Sequence, residues 1–211
     1  MKGQTQALTT VLITTVVVTA AASTYTWGKP LIDKRQGQSQ ADRMESTARD
    51  IYSSIQRVKQ SGEGTTTEKA LELSGGSIEI NEKKDYIRIE TSNQYAGYPS
   101  KWTRLAGGSD RNTSYRPGPD PARMGSGIGA VAVRQADTDN KVMYQVDFRN
   151  VRTGQGSLER TDLRVVGDSR ASGSTTMVIS HQGTQTNSGY TVSGESFDMK
   201  KHIIRIDLEK G

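Results

Sequence analysis

The chain has 211 residues, with 28 basic and 23 acidic side chains, two His and no Cys. The lack of Cys excludes a disulfide framework, a thiolate metal site and a Cys nucleophile, while a net charge of +5 permits contact with anionic surfaces without demanding it. Only 32% of the residues are hydrophobic, and many of these lie near the N-terminus, so the remainder must have a thin core that suits one small β-rich domain better than a large enzyme.

The chain opens Met1-Lys2-Gly3-Gln4, and the next charge is Lys29. Between them lie Ala7, Leu8, Val11, Leu12, Ile13, Val16, Val17, Val18 and Ala20-Ala21-Ala22, diluted by Thr. An apolar stretch of about 20 residues can cross a bilayer as a helix. Such a helix satisfies its own backbone, and Thr hydroxyls can bond to carbonyls a turn back. Three fates fit this pattern. A secretory signal peptide would be cut after Ala22, before Ser23. An uncleaved anchor would keep Met1. The third fate rests on a resemblance.

Lys2-Gly3-Gln4, directly ahead of a charge-free apolar helix, resembles the class III signal peptide of archaeal type IV pilins and archaellins, the prepilin family. The resemblance implies a membrane peptidase that cuts after Gly3, leaving a mature chain that begins at Gln4 and keeps its helix. It also implies that Leu8, Val11, Leu12, Ile13, Val16, Val17 and Val18 pack between subunits. Many prepilins carry a Glu at the position that Leu8 takes here, and its replacement points to a minor or divergent pilin.

Trp27 and Lys29 close the apolar run as interface anchors. Pro30 is expected to kink or end the helix. Residues 33–40 hold no apolar side chain and include Gly37, which predicts a loose joint. Ala41, Met44, Ala48, Ile51, Ile55 and Val58 then alternate spacings of three and four, making one apolar stripe on a second helical segment. Glu45 and Arg49 stand in the favourable order for an ion pair one turn apart, and Ser61-Gly62 ends the segment. The stripe is expected to pack on the head's own sheet. The predicted division is a leader at 1–3, a helical stalk at 4–60 (apolar 4–28, amphipathic 41–59) and a β-rich head at 61–211.

In the head, Ile78 and Ile80 alternate with polar residues, residues 81–85 form a polar turn, and Ile87 and Ile89 alternate again, which predicts a hairpin with one wet face. Val131 and Val133 mark a further strand. Val142, Tyr144, Val146 and Phe148 mark the next, after a turn at 136–141. Shorter strands are expected at 163–166, 177–179 and 190–192, with a final strand through Ile204, Ile206 and Leu208. The predicted class is therefore α+β, a long N-terminal hydrophobic helix kinked near Pro30 and an antiparallel, β-sandwich-like head.

Residues 93–127 read as a long connection rich in Pro and Gly, a type that is often exposed and functional. It carries Tyr95, Tyr98, Trp102 and Tyr115 among Lys101, Arg104, Arg111, Arg116 and Arg123. Aromatics among basic residues can bind nucleic acid or glycans, or can pack the loop down; nucleic acid is the disfavoured reading, since charged runs are usually solvated. Asn112-Thr113-Ser114 is an N-glycosylation acceptor triplet.

No enzyme, cofactor or metal site is expected. His181 and His202 lie on separate predicted strands, and a site needs several converging groups. Gly125-Ser126-Gly127-Ile128-Gly129 precedes a strand rather than the helix that a phosphate loop requires. Asp137-Thr138-Asp139-Asn140 opens like a calcium loop, but Val142 and Phe148 stand where Gly and Glu are needed, so it reads as a turn. The expected role is a cell-surface filament subunit like an archaeal type IV pilin. Its partners would be further copies of itself, the membrane before assembly, a prepilin peptidase with assembly machinery, and surface or glycan ligands. The alternative is a membrane-anchored surface binding or adhesion protein that does not polymerise.

Overall fold

A computed structural model describes residues 2–92, 97–106, 129–136, 141–148, 150–154, 156–192 and 194–210, with the backbone alone at 2–8, 74, 152, 154 and 192. One helix, α1 (Lys2–Ser61), precedes nine strands. The chain falls into two compact units, Met1–Gln40 and Ala41–Gly211. The second begins at the first residue of the predicted amphipathic stripe.

The expected interruption of the helix is absent. Pro30 lies inside α1, and residues 33–40 are helical. Proline removes one backbone bond in a helix interior, at a cost of about 3 kcal/mol. Lys34, Arg35, Gln36, Gln38 and Gln40 are all strong helix formers and outnumber Asp33, Gly37 and Ser39, which are not. Polarity without apolar residues looked like a joint, but these polar residues favour helix.

The strands are β1 (Thr66–Asn81), β2 (Tyr86–Ser92), β3 (Thr103–Ala106), β4 (Gly129–Gln135), β5 (Lys141–Phe148), β6 (Val151–Gly154), β7 (Ser157–Val166), β8 (Arg170–Val192) and β9 (Glu195–Lys210). They form one sheet in the order β3-β4-β5-β2-β1-β8-β9-β7-β6. The pairings are antiparallel except β7 with β9. The α+β architecture is as expected, although several strands are longer than their apolar patterns. β1 begins at Thr66 rather than near Ile78, because Ser74-Gly75-Gly76 forms a bulge and not a turn. Gly75 takes a φ of 69°, and a Cβ on Gly76 would stand 2.6 Å from the Glu90 carbonyl oxygen. Glycine alone fits both positions. β3 and β6 carry too little apolar alternation to be read from sequence.

The predicted stripe on α1 is buried. Met44, Ala48, Ile51, Ile55 and Val58 join Leu71, Ile78, Ile87, Ile89, Val131, Val146, Ile204 and Ile206 in the main core. Tyr144, from β5, donates a hydrogen bond of 2.9 Å to the Ala41 carbonyl, and Lys69 of β1 reaches Asp50 at 2.7 Å. Helix and sheet are therefore joined along the length of the stripe.

The sheet curls. β2 and β7 are four strand positions apart, which is about 19 Å in a flat sheet. Yet Asp85, in the β1–β2 turn, accepts a bond of 3.0 Å from the Leu163 amide of β7. The same carboxylate pairs with the Arg160 guanidinium. Glu82 of the turn accepts from the Val165 amide at 3.3 Å. Two carboxylates thus cap the outer edge of β7, where β6 no longer pairs with it. Asp85 is wholly buried and takes a φ of 48°. Burial pushes its carboxyl up, against the Leu163 amide and Arg160, which hold it down.

Asp85→Ala should cost about 3–5 kcal/mol of head stability, because it leaves Arg160 and a buried amide without their partner. Denaturant unfolding of the full chain in detergent measures this. A loss under 1 kcal/mol would mean that the turn does not hold the curl.

Candidate membrane and assembly helix

The apolar half of α1 has no cover within its unit. Val11, Leu12, Ile13, Val16, Val17 and Val18 are between 58% and 66% exposed. At 100° per residue these six side chains point all round the axis, so the surface is an oily cylinder and not a stripe. Such a helix belongs in a membrane or in the middle of a larger assembly. Residues 7–27 span about 31 Å, the thickness of a hydrocarbon core. By length and composition the helix can cross a membrane.

The Thr residues do not interrupt this surface. Thr14, Thr15, Thr19, Thr24 and Thr26 each donate to the carbonyl four residues back, at 2.8 to 2.9 Å. Each hydroxyl is turned into the helix wall, and its methyl group remains on the surface. At the end of the run Tyr25 and Trp27 are 68% and 81% exposed, and Lys29 stands 6.0 Å above the Tyr25 ring. Amphipathic rings beside a cation are the side chains that settle at a lipid headgroup boundary. Lys2, Gly3 and Gln4 lie on the helical backbone of α1, but their side chains and that of Leu8 are outside the description.

In the described part of the 93–127 connection, residues 97–106, two aromatics are packed down while Lys101 and Arg104 are exposed. Tyr98 donates to Glu45 of α1 at 2.9 Å and sets its ring edge-on against Tyr144, with centroids 5.8 Å apart. Burial, with Glu45 and Asp42 nearby, raises the Tyr98 hydroxyl. Trp102 lies beneath the Arg134 guanidinium, 4.9 Å from its ring centre. Two of the aromatics that suggested a binding surface are therefore anchors of the connection. Tyr95, Arg111, Asn112, Tyr115, Arg116 and Arg123 lie outside the described residues, as do residues 125–128 and 137–140.

The two histidines, far apart in sequence, come together. His181 Nε2 lies 3.3 Å from His202 Nδ1, and the rings are tilted with centroids 5.3 Å apart. Glu159 of β7 lies 3.1 Å from His202 Nε2, off the line of a hydrogen bond, and pairs with Lys59 of α1. Burial holds His202 down to about 4, with Lys59, Lys200 and His181 adding and Glu159 opposing. Burial lowers Lys59 as well, and Glu159 opposes that shift. Burial would raise Glu159, but Lys59, His202 and Lys200 carry it below its usual value. The signal for this meeting is hairpin register: His202 stands opposite Thr184, three residues beyond His181. Among the described residues no group of three or more His, Asp or Glu side chains converges as a metal site would require.

These features define an α+β protein with one long apolar N-terminal helix and a mixed β-sheet head. The chain matches no family model, and comparisons with curated proteins and with solved structures find no match.

Replacing Thr14, Thr15 and Thr19 together by Val should leave membrane partition of the full chain unchanged, because their hydroxyls are already satisfied inside the helix. Flotation with lipid vesicles measures this. A clear loss of partition would show that the hydroxyls serve contacts outside the helix.

Proposed function

We propose that this protein is the structural subunit of a cell-surface filament, resembling an archaeal type IV pilin, held together by its N-terminal helices. One observation carries the reading. The helix is apolar all round from Val11 to Val18 and uncovered, whereas its continuation from Met44 to Val58 is buried by the head. The two halves meet different requirements: the second holds the head, and the first is left for lipid or for other copies. The pattern Lys2-Gly3-Gln4 supports processing after Gly3 by a prepilin peptidase.

In this reading the helix first keeps the subunit in the membrane. Assembly machinery then moves it from lipid into a bundle of identical helices. Burial contributes about 25 cal/mol per Å2 of apolar surface, so no covalent link is needed. The head faces outward on the cell exterior and works without catalysis or cofactor. Surface or glycan ligands would meet it there, and Asn112 would be open to glycosylation.

The second reading is a permanent anchor that carries a surface binding module and does not polymerise. Tyr25, Trp27 and Lys29 favour it, because a headgroup belt suits a resident of the bilayer. The mass of the mature N-terminus separates the readings: Gln4 supports the filament subunit, Met1 the anchor and Ser23 a secreted protein. Val17→Lys should abolish filaments or membrane retention, since a Lys at the centre of a spanning helix costs about 2.5–3.5 kcal/mol. Normal filaments from that variant, seen by electron microscopy, would refute the assembly role of the helix.

A further inference from the structure

The two imidazoles meet where the last turn of α1 joins the β8–β9 hairpin. His181 Nε2 and Thr184 Oγ1 lie 3.3 and 3.4 Å from His202 Nδ1. His181 Nδ1 and His202 Nε2 are buried without a hydrogen-bond partner among the described residues. Charged groups approach from every side: Lys59 from the helix, Glu159 from β7 and Lys200 from β9 itself. Beyond the helix, the Glu63 carboxyl lies 3.2 Å from where a Cβ on Gly183 would sit.

Counting protons gives the consequence. The short contact between the rings needs one N–H and one lone pair. Two neutral imidazoles supply these and leave one N–H over, on His181 Nδ1 or His202 Nε2. A third proton puts N–H on both: His181 Nδ1 has no hydrogen-bond partner among the described residues, and His202 Nε2 faces the Glu159 carboxylate that pairs with Lys59. A fourth sets N–H against N–H across 3.3 Å, beside Lys59 and Lys200. Each added proton is therefore buried beside Lys59 and Lys200, and either lacks a partner or competes with Lys59 for Glu159.

A second observation limits what would open. Leu158, Phe197 and Met199, with Tyr190 against them, form a small core separate from the main one. Ahead of the β1–β8 ladder, which begins at Thr66 opposite Ser180, the helix exit meets β8 through two backbone bonds: Gly64 donates to the His181 carbonyl and His181 to the Thr65 carbonyl, each at 2.9 Å. This end of the head can move as its own cooperative unit.

We propose that the His181–His202 pair is an acid-operated latch: neutral rings leave Glu159 to Lys59 at the end of α1, and protonation sets a second cation against Lys59 and releases that end while the main core stays folded. His202 falls from an ordinary 6.5 to about 4 when latched. The open form therefore takes protons first, and the latched state weakens as pH falls below 6.5. The imidazole contribution is fully lost once pH passes about 4. Glu159 acts in the same direction: its latched pKa is also lowered, so its contribution is lost as pH falls further.

The test uses the full chain in detergent micelles. With only two histidines in the sequence, the 15N spectra of the imidazoles follow the pair directly, and the single variant His181→Gln assigns them. Hydrogen exchange is read at pH 7, 5 and 4 after correction for intrinsic rates. Protection at 59–65 and 182–192 should fall on the order of 100-fold by pH 4, while 141–148 stays protected. His181→Gln combined with His202→Gln should remove this dependence. If that variant does not fold, the wild-type titration and exchange decide the matter. Titration of the His202 ring near 6.5, or unchanged protection at pH 4, would overturn the latch. So would loss of protection at 59–65 and 182–192 in step with 141–148.

Discussion

A helix with two different halves sets the terms for the rest of the molecule. From Met44 to Val58 its apolar side chains are gathered on one stripe and buried against the sheet. From Val11 to Val18 they are spread round the axis and covered by nothing in their own unit. A stripe can be satisfied by one sheet, but a cylinder cannot; it must be surrounded, by lipid or by other helices. The composition of the head follows from this. Its strands have to cover one stripe and no more, and a thin core is enough.

The head meets that demand by curling one sheet rather than by stacking two. Asp85 and Glu82 reach across from the β1–β2 turn to the edge amides of β7. This contact draws distant strands together over the helix and also closes an edge that would otherwise be open to pairing with another chain. Burying a carboxylate is costly unless it is paired and bonded, and Asp85 has both Arg160 and the Leu163 amide. On the same strand, Glu159, the neighbour of Arg160, pairs with Lys59 of α1 and lies beside His202, which makes a buried polar contact between helix and sheet. The first junction rests on a carboxylate–guanidinium pair, and the second includes an imidazole that burial holds down.

Several features of the fold were legible because their signal is local. The uncharged run before Lys29, the three-four spacing from Ala41 to Val58 and the alternation at Ile87, Tyr144 and Ile206 each report one element through its own period. Other features were not, because their cause lies elsewhere in the chain. The bulge at Gly75-Gly76, and the part of β1 that precedes it, leave no mark in the apolar pattern, because their cause is the neighbouring β8 and Glu90. Residues 33–40 read as a joint because they lack apolar side chains, although their helix propensity is high. Tyr98 and Trp102 looked like part of a binding surface until Glu45, Tyr144 and Arg134 were seen to occupy them.

The sequence by itself determined the kind of molecule: an apolar helix fit for a membrane, an amphipathic continuation, and a head of short strands. It could do so because periodicity and charge spacing are properties of neighbouring residues. Only the tertiary structure decided which distant groups meet, such as Asp85 with Leu163 and His181 with His202. Those meetings depend on strand order and register, which are set by the packing of the whole sheet around the helix and leave no mark on any single stretch.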